Sequence, residues 1–579
     1  MLGEVSELCA KAAVVPVPTD QQGRGYYSTY FLVPKKDGGV RPILNLKPFN
    51  KNVPKQHFKM ETLQGILPTL EPGLWLASLD LKDAYFHVPM HPSCHPWLRF
   101  AIQGSHYQYR VLPFGLSLAP LVFTRVVQCL VAWMRERGFR VHAYLDDLLI
   151  IAHSPAQLTR HLEIVVHTLV SAGFTINLKK SDLLPSQDLV YIGGRLRTDL
   201  GRVFLPVERR EALIRAVRSF ARVGMYHPVR RWLQILGLMA ATITTVRHAR
   251  LRMRPLQLSL RARWRSQNLE EKLMITNEDL LGLSWWTREG NLSRGLPFRP
   301  CPHNVVITTD ASLEGWGGHL TLGSTSHLFS GLWDVQDRRQ HINLLELRAV
   351  KLTLCRASHL LRSFSPCVVR AECDNTTAVS YLNKQGGTRS KTLCEEACEI
   401  HEWLLDHDML LSAIHRPGLD NELADFLSRN RPDPLEWSLA DDLCLQLWDR
   451  WGLPQVDLFA SPTNHKLPVW FSRSHCPRAA GTDALAQDWR NLRLYAFPPF
   501  NLILRTLCKL RADRAEWAIV ITPYWPKRTW FPLAMSMASV PPWTLPRRYN
   551  QLSQSLPDKG VLYHPDLHQL KLVAWKLSA

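Results

Sequence analysis

Phe139-Arg-Val-His-Ala-Tyr-Leu-Asp-Asp-Leu-Leu-Ile-Ile151 is the stretch from which the architecture can be worked out. Arg140-Val-His-Ala-Tyr-Leu and Leu148-Leu-Ile-Ile read as two apolar strands hinged at Asp146-Asp147, a hairpin with acid at its tip. Next, Ser154 offers an N-cap and Pro155 a first helical position. Leu158, Leu162, Val165, Val166 and Leu169 then recur at helical spacing until Gly173 supplies a stop. Strands followed by an amphipathic helix predict a mixed α/β unit. Two adjacent acids among apolar strands pose a problem, because neighbouring carboxylates repel and burial raises their pKa unless a cation neutralises them. Mg2+ is the natural cation, and a solvated Asp-Asp turn is the bland alternative.

Around this hairpin lie 579 residues, enough for three or four domains. The chain is 46% hydrophobic and 21% charged, with no tract of about 18 apolar residues to cross a bilayer, so a soluble protein without a membrane partner is expected. A net charge of +20 favours a polyanionic partner, most commonly nucleic acid, although charge alone does not separate RNA from DNA. Twelve Cys without paired C-x-x-C spacing, and no leader pattern in Met1 to Pro18, point to an intracellular, reducing compartment, cytoplasmic or nuclear. Cys394, Cys398 and His401 share a helical register but lack a fourth ligand, and read as ordinary helix-face residues. Pro- and Gly-rich breaks near Leu205-Pro206, across Gly295 to Pro302 and at Asn430 to Pro434 divide the chain into four segments.

A second acid, Asp80, again follows apolar strand residues in Ala77-Ser-Leu-Asp-Leu-Lys-Asp-Ala-Tyr85. Leu79 to Tyr85, Leu112-Pro-Phe-Gly115-Leu-Ser-Leu-Ala-Pro120 and Tyr144-Leu-Asp-Asp147 resemble, in order and spacing, the palm motifs of retroelement reverse transcriptases. That resemblance implies that Asp80, Asp146 and Asp147 bind two Mg2+ ions, with Mn2+ the alternative, for an in-line displacement on a triphosphate. It implies that Tyr85 is the steric gate against a ribose 2′-hydroxyl, and that Gly115 allows close approach to the template–nucleotide pair. Phe31-Leu-Val-Pro-Lys35-Lys-Asp-Gly-Gly-Val-Arg41 resembles the family's fingers hairpin, which would direct Lys35 and Arg41 to the triphosphate. Ala172 to Lys180 resembles the next motif, and Tyr191-Ile-Gly-Gly194 the primer grip. Residues 206–300 would be thumb and connection. Seven Arg between Arg247 and Arg265, with no acid among them, suit a duplex backbone or a solvated helix face.

Farther along, Val305-Val-Ile-Thr-Thr ends at Asp310, and Glu346, Asp374 and Asp425 follow. Together they resemble the four-carboxylate pattern of type 1 ribonuclease H, and His415, ten positions before Asp425 (425 − 415), matches that family's mobile histidine. Two Mg2+ ions at these acids would activate water against the RNA strand of an RNA–DNA hybrid. Val456-Asp457-Leu-Phe-Ala-Ser461, Thr482 to Trp489 and Tyr495-Ala-Phe-Pro-Pro-Phe500 resemble phage-type adenine-N6 DNA methyltransferases, in which an acid at the position of Asp457 binds S-adenosylmethionine. Phe497 replaces the polar residue that would hold the adenine amine. A fold kept for structure or nucleic-acid contact therefore accounts for this segment as well as methyl transfer does.

The expectation is an α/β multidomain protein: reverse transcriptase fingers and palm (1–205), thumb and connection (206–300), a ribonuclease H-like mixed α/β domain (301–432) and a Rossmann-like methyltransferase-like segment (450–579). This order resembles DIRS-type retrotransposon polyproteins. The partners implied are RNA template, DNA primer, RNA–DNA hybrid and deoxynucleoside triphosphates, with oligomeric state left open. A decayed or co-opted nucleic-acid-binding protein and a DNA adenine methyltransferase are the rival readings.

Overall fold

The computed structural model describes residues 2–34, 40–222, 224–299, 305–322, 325–364, 367–429, 437–556, 560–564, 567 and 570–578. They form two units, Met1–Pro300 and Cys301–Ala579.

In the first unit, β1 (Tyr30–Pro34) and β2 (Val40–Leu44) pair as an antiparallel hairpin. Strands β3 (Trp75–Asp80), β4 (Arg140–Tyr144), β5 (Asp147–Ala152) and β6 (Asp182–Ser186) make an antiparallel sheet in the order β4-β5-β3-β6. Pleating sends alternate residues to opposite faces. Ala77, Leu79, Leu148 and Ile150 pack under helices α1 (Ala119–Glu136) and α2 (Pro155–Ser171), with Phe123, Val127, Leu158 and Val165. Leu76, Leu149 and Ile151 pack on the other side with Leu63, Leu189 and Tyr191. Burial on both faces is why β5 reads as an unbroken apolar run rather than an alternation, and each such side chain contributes on the order of 1.5–3 kcal/mol. Helix α2 starts as its sequence dictates: the Ser154 side chain accepts from the Gln157 N–H, and Gly173 takes φ +85° after the last turn.

The hairpin hinge lies one residue earlier than the sequence pattern indicates. Leu145-Asp146 is the turn and Asp147 is already paired in β5. Helix α3 (Ala249–Arg263) carries five of the seven arginines counted in the sequence, and not all serve one face. Arg263 donates to Asp279 Oδ2 at 2.8 Å, an acid with 1% of its side chain exposed, and stacks over Trp232, so it belongs to the local core.

The second unit holds two sheets. In the first, β7 (Val305–Ala311), β8 (Gly315–Leu322) and β9 (Thr325–Leu332) form an antiparallel meander, while β10 (Cys367–Cys373) and β11 (Met409–His415) add in parallel beside β7. Helices α4 (Ile342–Leu361) and α5 (Glu422–Arg429) pack close to β8, and adjacent glycines permit it. A Cβ on Gly318 would stand 2.1 Å from Thr353 Oγ1 of α4, and one on Gly317 2.4 Å from the Ala424 carbonyl oxygen of α5. Beyond helix α6 (Asp441–Trp451), the second sheet has the order β14-β13-β12-β15-β16-β20-β17, from β12 (Val456–Ala460), β13 (Trp470–Ser472), β14 (Gly481–Thr482), β15 (Arg493–Ala496), β16 (Trp517–Pro523), β17 (Trp543–Thr544) and β20 (Leu572–Leu577). The first five are parallel, with the order reversing at β12, as in doubly wound nucleotide-binding sheets; β20 runs antiparallel.

The segment expected as a separate 450–579 domain does not keep to itself. Strands β18 (Leu552–Leu556) and β19 (Gly560–Tyr563) leave it and extend the first sheet, β19 pairing in parallel with β9. There the Tyr563 hydroxyl meets His327 Nδ1 at 2.9 Å, covering an edge that would otherwise present unpaired backbone groups.

Candidate functional site

Antiparallel register sets Asp80 at the end of β3 directly across from Asp147 at the start of β5, and Asp146 occupies the turn beside them. Backbone tethers hold this corner. The Asp80 N–H donates to Ser181 Oγ at 3.0 Å and its carbonyl accepts from the Asn177 N–H at 2.8 Å. The Leu81 N–H donates to the Asp146 carbonyl at 2.9 Å, and the Tyr191 hydroxyl to the Asp147 carbonyl at 3.0 Å. Leu145 sits at φ +55°, the left-handed region that glycine normally supplies in so tight a turn, at a cost of roughly 1–2 kcal/mol. Burial first, then the charges of Asp146 and Asp80, push the Asp147 carboxyl up to about 6, against the opposing pull of Lys180.

Asp80 and Asp146 face a cleft of about 1090 Å3 lined also by Tyr85, Phe114, Lys180, Val40 and Pro42. Two neighbours fix the Tyr85 ring, Phe114 at 4.9 Å and Phe123 at 5.5 Å between centroids, so this side chain is both core aromatic and cleft wall. Gly115 adopts φ +113°, and a Cβ there would lie 2.1 Å from the Leu44 carbonyl oxygen. Its close approach is therefore to β2 of its own chain. Lys35 lies outside the described residues, as does the side chain of Arg41, whose backbone pairs with Val33 in the β1–β2 hairpin. Ser181 and Tyr191, which brace the acids, carry no chemistry-bearing pattern of their own in sequence; only Tyr191's place in a recognisable motif marks it.

In the second unit, Asp310 near the end of β7, Glu346 in the second turn of α4 and Asp374 after β10 each bring one carboxylate oxygen within 4.8 Å of the others. Glu346 is 3% exposed, and its Oε2 has no hydrogen-bond partner. Burial, then Asp310 and Asp374, push its carboxyl up to about 9. Asp310 is raised in the same way, although Ser428 Oγ donates to its Oδ2 at 2.6 Å. Asp425 stands outside this trio: it pairs with Arg429 at 2.7 Å, yet is close enough for its charge to raise Asp310. His415 ends β11, exposed and in register with Cys373. A crowd of buried carboxylates with a partnerless oxygen suits a divalent cation.

Asp457 differs from all of these. It is 2% exposed inside the second sheet, accepts the Lys466 N–H at 2.9 Å on Oδ2, and has no partner for Oδ1; burial raises its carboxyl to about 7. Phe497 packs in the neighbouring apolar cluster with Leu443 and Tyr495. Ser428 on α5 and Glu372 on β10 also stand near these acids without a mark in the sequence pattern, except that Ser428, three residues after Asp425 on the same helix, has a usable spacing signal.

Residues 33–196, which include the Asp80–Asp146–Asp147 corner, match the family model described as reverse transcriptase (RNA-dependent DNA polymerase). The chain carries a reverse transcriptase domain. Its homologues are retroelement polyproteins. The "Enzymatic polyprotein" of Cauliflower mosaic virus (strain CM-1841) is 26% identical over 413 residues, 68% of this chain and 56% of that one. The "Transposon Tf2-3 polyprotein" of Schizosaccharomyces pombe is 29% identical over 155 residues, 27% of this chain and 12% of its own. The chain thus spans about half the length of the first of these curated relatives. Among solved structures, a foamy viral protease-reverse transcriptase bound to double-stranded DNA aligns with 74% of this chain and 69% of its own at 19% identity, TM-score 0.47. Another, bound to RNA/DNA hybrid, aligns with 75% of this chain and 56% of its own at 18% identity, TM-score 0.45. Among the described residues, no helix is long and apolar enough to cross a membrane.

Proposed function

We propose that the chain is an RNA- and DNA-directed DNA polymerase of a DIRS-like retrotransposon, with a ribonuclease H site that removes the RNA strand of the hybrid it makes. The observation that carries the polymerase reading is the braced corner of Asp80, Asp146 and Asp147, of which Asp80 and Asp146 line a cleft of about 1090 Å3. Like charges held together by backbone tethers, one of them raised to about 6, fit a site that needs a cation. Asp80, Asp146 and Asp147 would hold Mg2+ or Mn2+, which supplies the charge that activates a primer 3′-hydroxyl and steadies the triphosphate. Lys180 lines this cleft and would meet the phosphates, a role that resemblance to the family also gives Lys35 and Arg41, and the Tyr85 ring, packed against Phe114 and Phe123, would exclude a 2′-hydroxyl. Template RNA, DNA primer and deoxynucleoside triphosphates are the substrates, in an intracellular setting.

The nuclease reading rests on the partnerless Oε2 of Glu346 inside the Asp310–Glu346–Asp374 trio. Asp310, Glu346 and Asp374, with Asp425 and His415 as further site residues, would hold divalent ions that would supply the charge for water to attack an RNA phosphodiester. For the C-terminal sheet, the sealed position of Asp457 supports a structural part rather than S-adenosylmethionine binding.

Primer extension on an RNA template with Mg2+ tests the polymerase. The parent should extend, and Asp146→Asn should lose at least about a hundredfold in rate; a parent that extends nothing, or an Asp146→Asn chain as active as the parent, refutes the reading. Asp374→Asn should abolish hybrid cleavage and leave extension intact. Loss of both in a folded chain would refute two independent sites.

A further inference from the structure

Beside the nuclease acids runs a cleft of about 920 Å3 whose lining includes Glu372, His415, Arg416, Asn421, Arg370 and His319. We propose that Glu372 and Arg416 are positioning residues for hybrid cleavage: together they clamp the 416–421 loop against the strands that carry Asp310 and Asp374. The proposal rests on the nuclease reading above.

Glu372 lies on β10 two residues before Asp374, which follows directly on the end of that strand. The Glu372 side chain is 6% exposed, and two arginines pair with it. Arg370 Nη2 donates to Oε1 at 2.5 Å and Arg416 Nη1 to Oε2 at 2.7 Å. Arg416 does more than neutralise. Its Nε donates to the Asp420 carbonyl at 2.7 Å, and its backbone N–H to the Cys373 carbonyl at 2.9 Å. One planar guanidinium thus ties the far side of the loop to an acid on β10, a two-direction reach that lysine cannot reproduce.

At the other end of the loop, Asn421, 2% exposed, donates from Nδ2 to the Thr309 carbonyl at 3.1 Å, one residue before Asp310. Between these anchors the loop passes close to Asp374: a Cβ on Gly418 would lie 3.4 Å from its Oδ2. His415 immediately precedes Arg416. The clamp therefore sets where His415 leaves β11 and how near the loop backbone comes to Asp374, while neither clamp side chain needs to touch the RNA.

The test uses the full chain carrying Arg416→Lys, Glu372→Ala or Glu372→Gln, scored by hybrid cleavage, by primer extension and by hydrogen–deuterium exchange of residues 416–421. Arg416→Lys and Glu372→Ala should lower kcat for cleavage roughly ten- to hundredfold with KM little changed, the usual scale for supports of a metal-site ligand. Exchange in the loop should rise and extension should hold. Glu372→Gln leaves an acceptor oxygen for only one of the two arginines, its amide NH2 facing the other, and should recover only part of the kcat lost in Glu372→Ala. Parental kcat and parental loop exchange in Arg416→Lys and Glu372→Ala would overturn the clamp alone. A parent chain that extends primers but cleaves no hybrid would overturn the nuclease reading, and the clamp's catalytic role with it.

Discussion

Asp457 is a carboxylate sealed inside a sheet, with one oxygen bonded to the Lys466 N–H and the other without a partner. Because burial raises its pKa to about 7, the folded state favours the protonated form. Its stabilising contribution is complete below its ordinary value of 3.8 and disappears as pH rises through about 7. Asp457→Asn retains the acceptor for Lys466 without the charge, so thermal melts should show it at least as stable as the parent above pH 7. A large loss of stability there would mean that the charge itself is needed. Gly115 is the opposite case, in which any side chain is excluded. Gly115→Ala would force a Cβ against the Leu44 carbonyl in a left-handed backbone and should cost about 1–3 kcal/mol of unfolding free energy, measurable by denaturant titration. At this scale the sequence revealed the acids, because carboxylates beside apolar strands are conspicuous. It did not reveal their braces: Ser181 and Tyr191 act through a hydroxyl on a backbone group, which leaves no pattern in composition or spacing. Nor did it reveal that the glycine at 115 makes room for the chain's own β2.

Among elements, α2 was legible because its cap, its apolar spacing and its stop are all local. The β4–β5 hairpin was legible too, but its turn was placed one residue late. Leucine is a poor indicator of a turn, and here Leu145 takes the position that glycine would mark. Strands β18 and β19 were not legible at all, since what makes them strands is the edge of β9 more than two hundred residues away. That pairing has a measurable consequence. A chain ending at residue 436 should leave β9 as an open edge and melt several degrees lower in its second unit, with association visible by light scattering. If the shortened chain stays monomeric and equally stable, the added strands are ornamental.

For the whole molecule, charge is the controlling quantity. Without divalent cations, Glu346 and Asp147 hold protons up to about pH 9 and 6, above their ordinary 4.5 and 3.8. Raised carboxyl values mean that their stabilising contributions are full below those ordinary values and vanish as pH climbs through the raised ones. The melting temperature of the metal-free chain should therefore fall from pH 5 to 9. Millimolar Mg2+ should reverse most of the fall, and Glu346→Gln should flatten it; a metal-insensitive melt at pH 8 would contradict cation binding at both corners. The excess of twenty positive charges would also make the proposed hybrid binding salt-sensitive. Six to ten phosphate contacts would cost about 10^3–10^5 in affinity between 50 and 200 mM salt, read by filter binding.

The shared sheet also has a history in time. Strand β9 ends at Leu332 and its partner β19 begins at Gly560, 228 residues later (560 − 332). A ribosome adding about 5–20 residues per second needs roughly 10–50 s to cover that gap. For that interval the half-built sheet waits on the translating ribosome with one flank open, so the yield of correctly folded chain should respond to elongation rate and to the supply of chaperones that shield nascent strands.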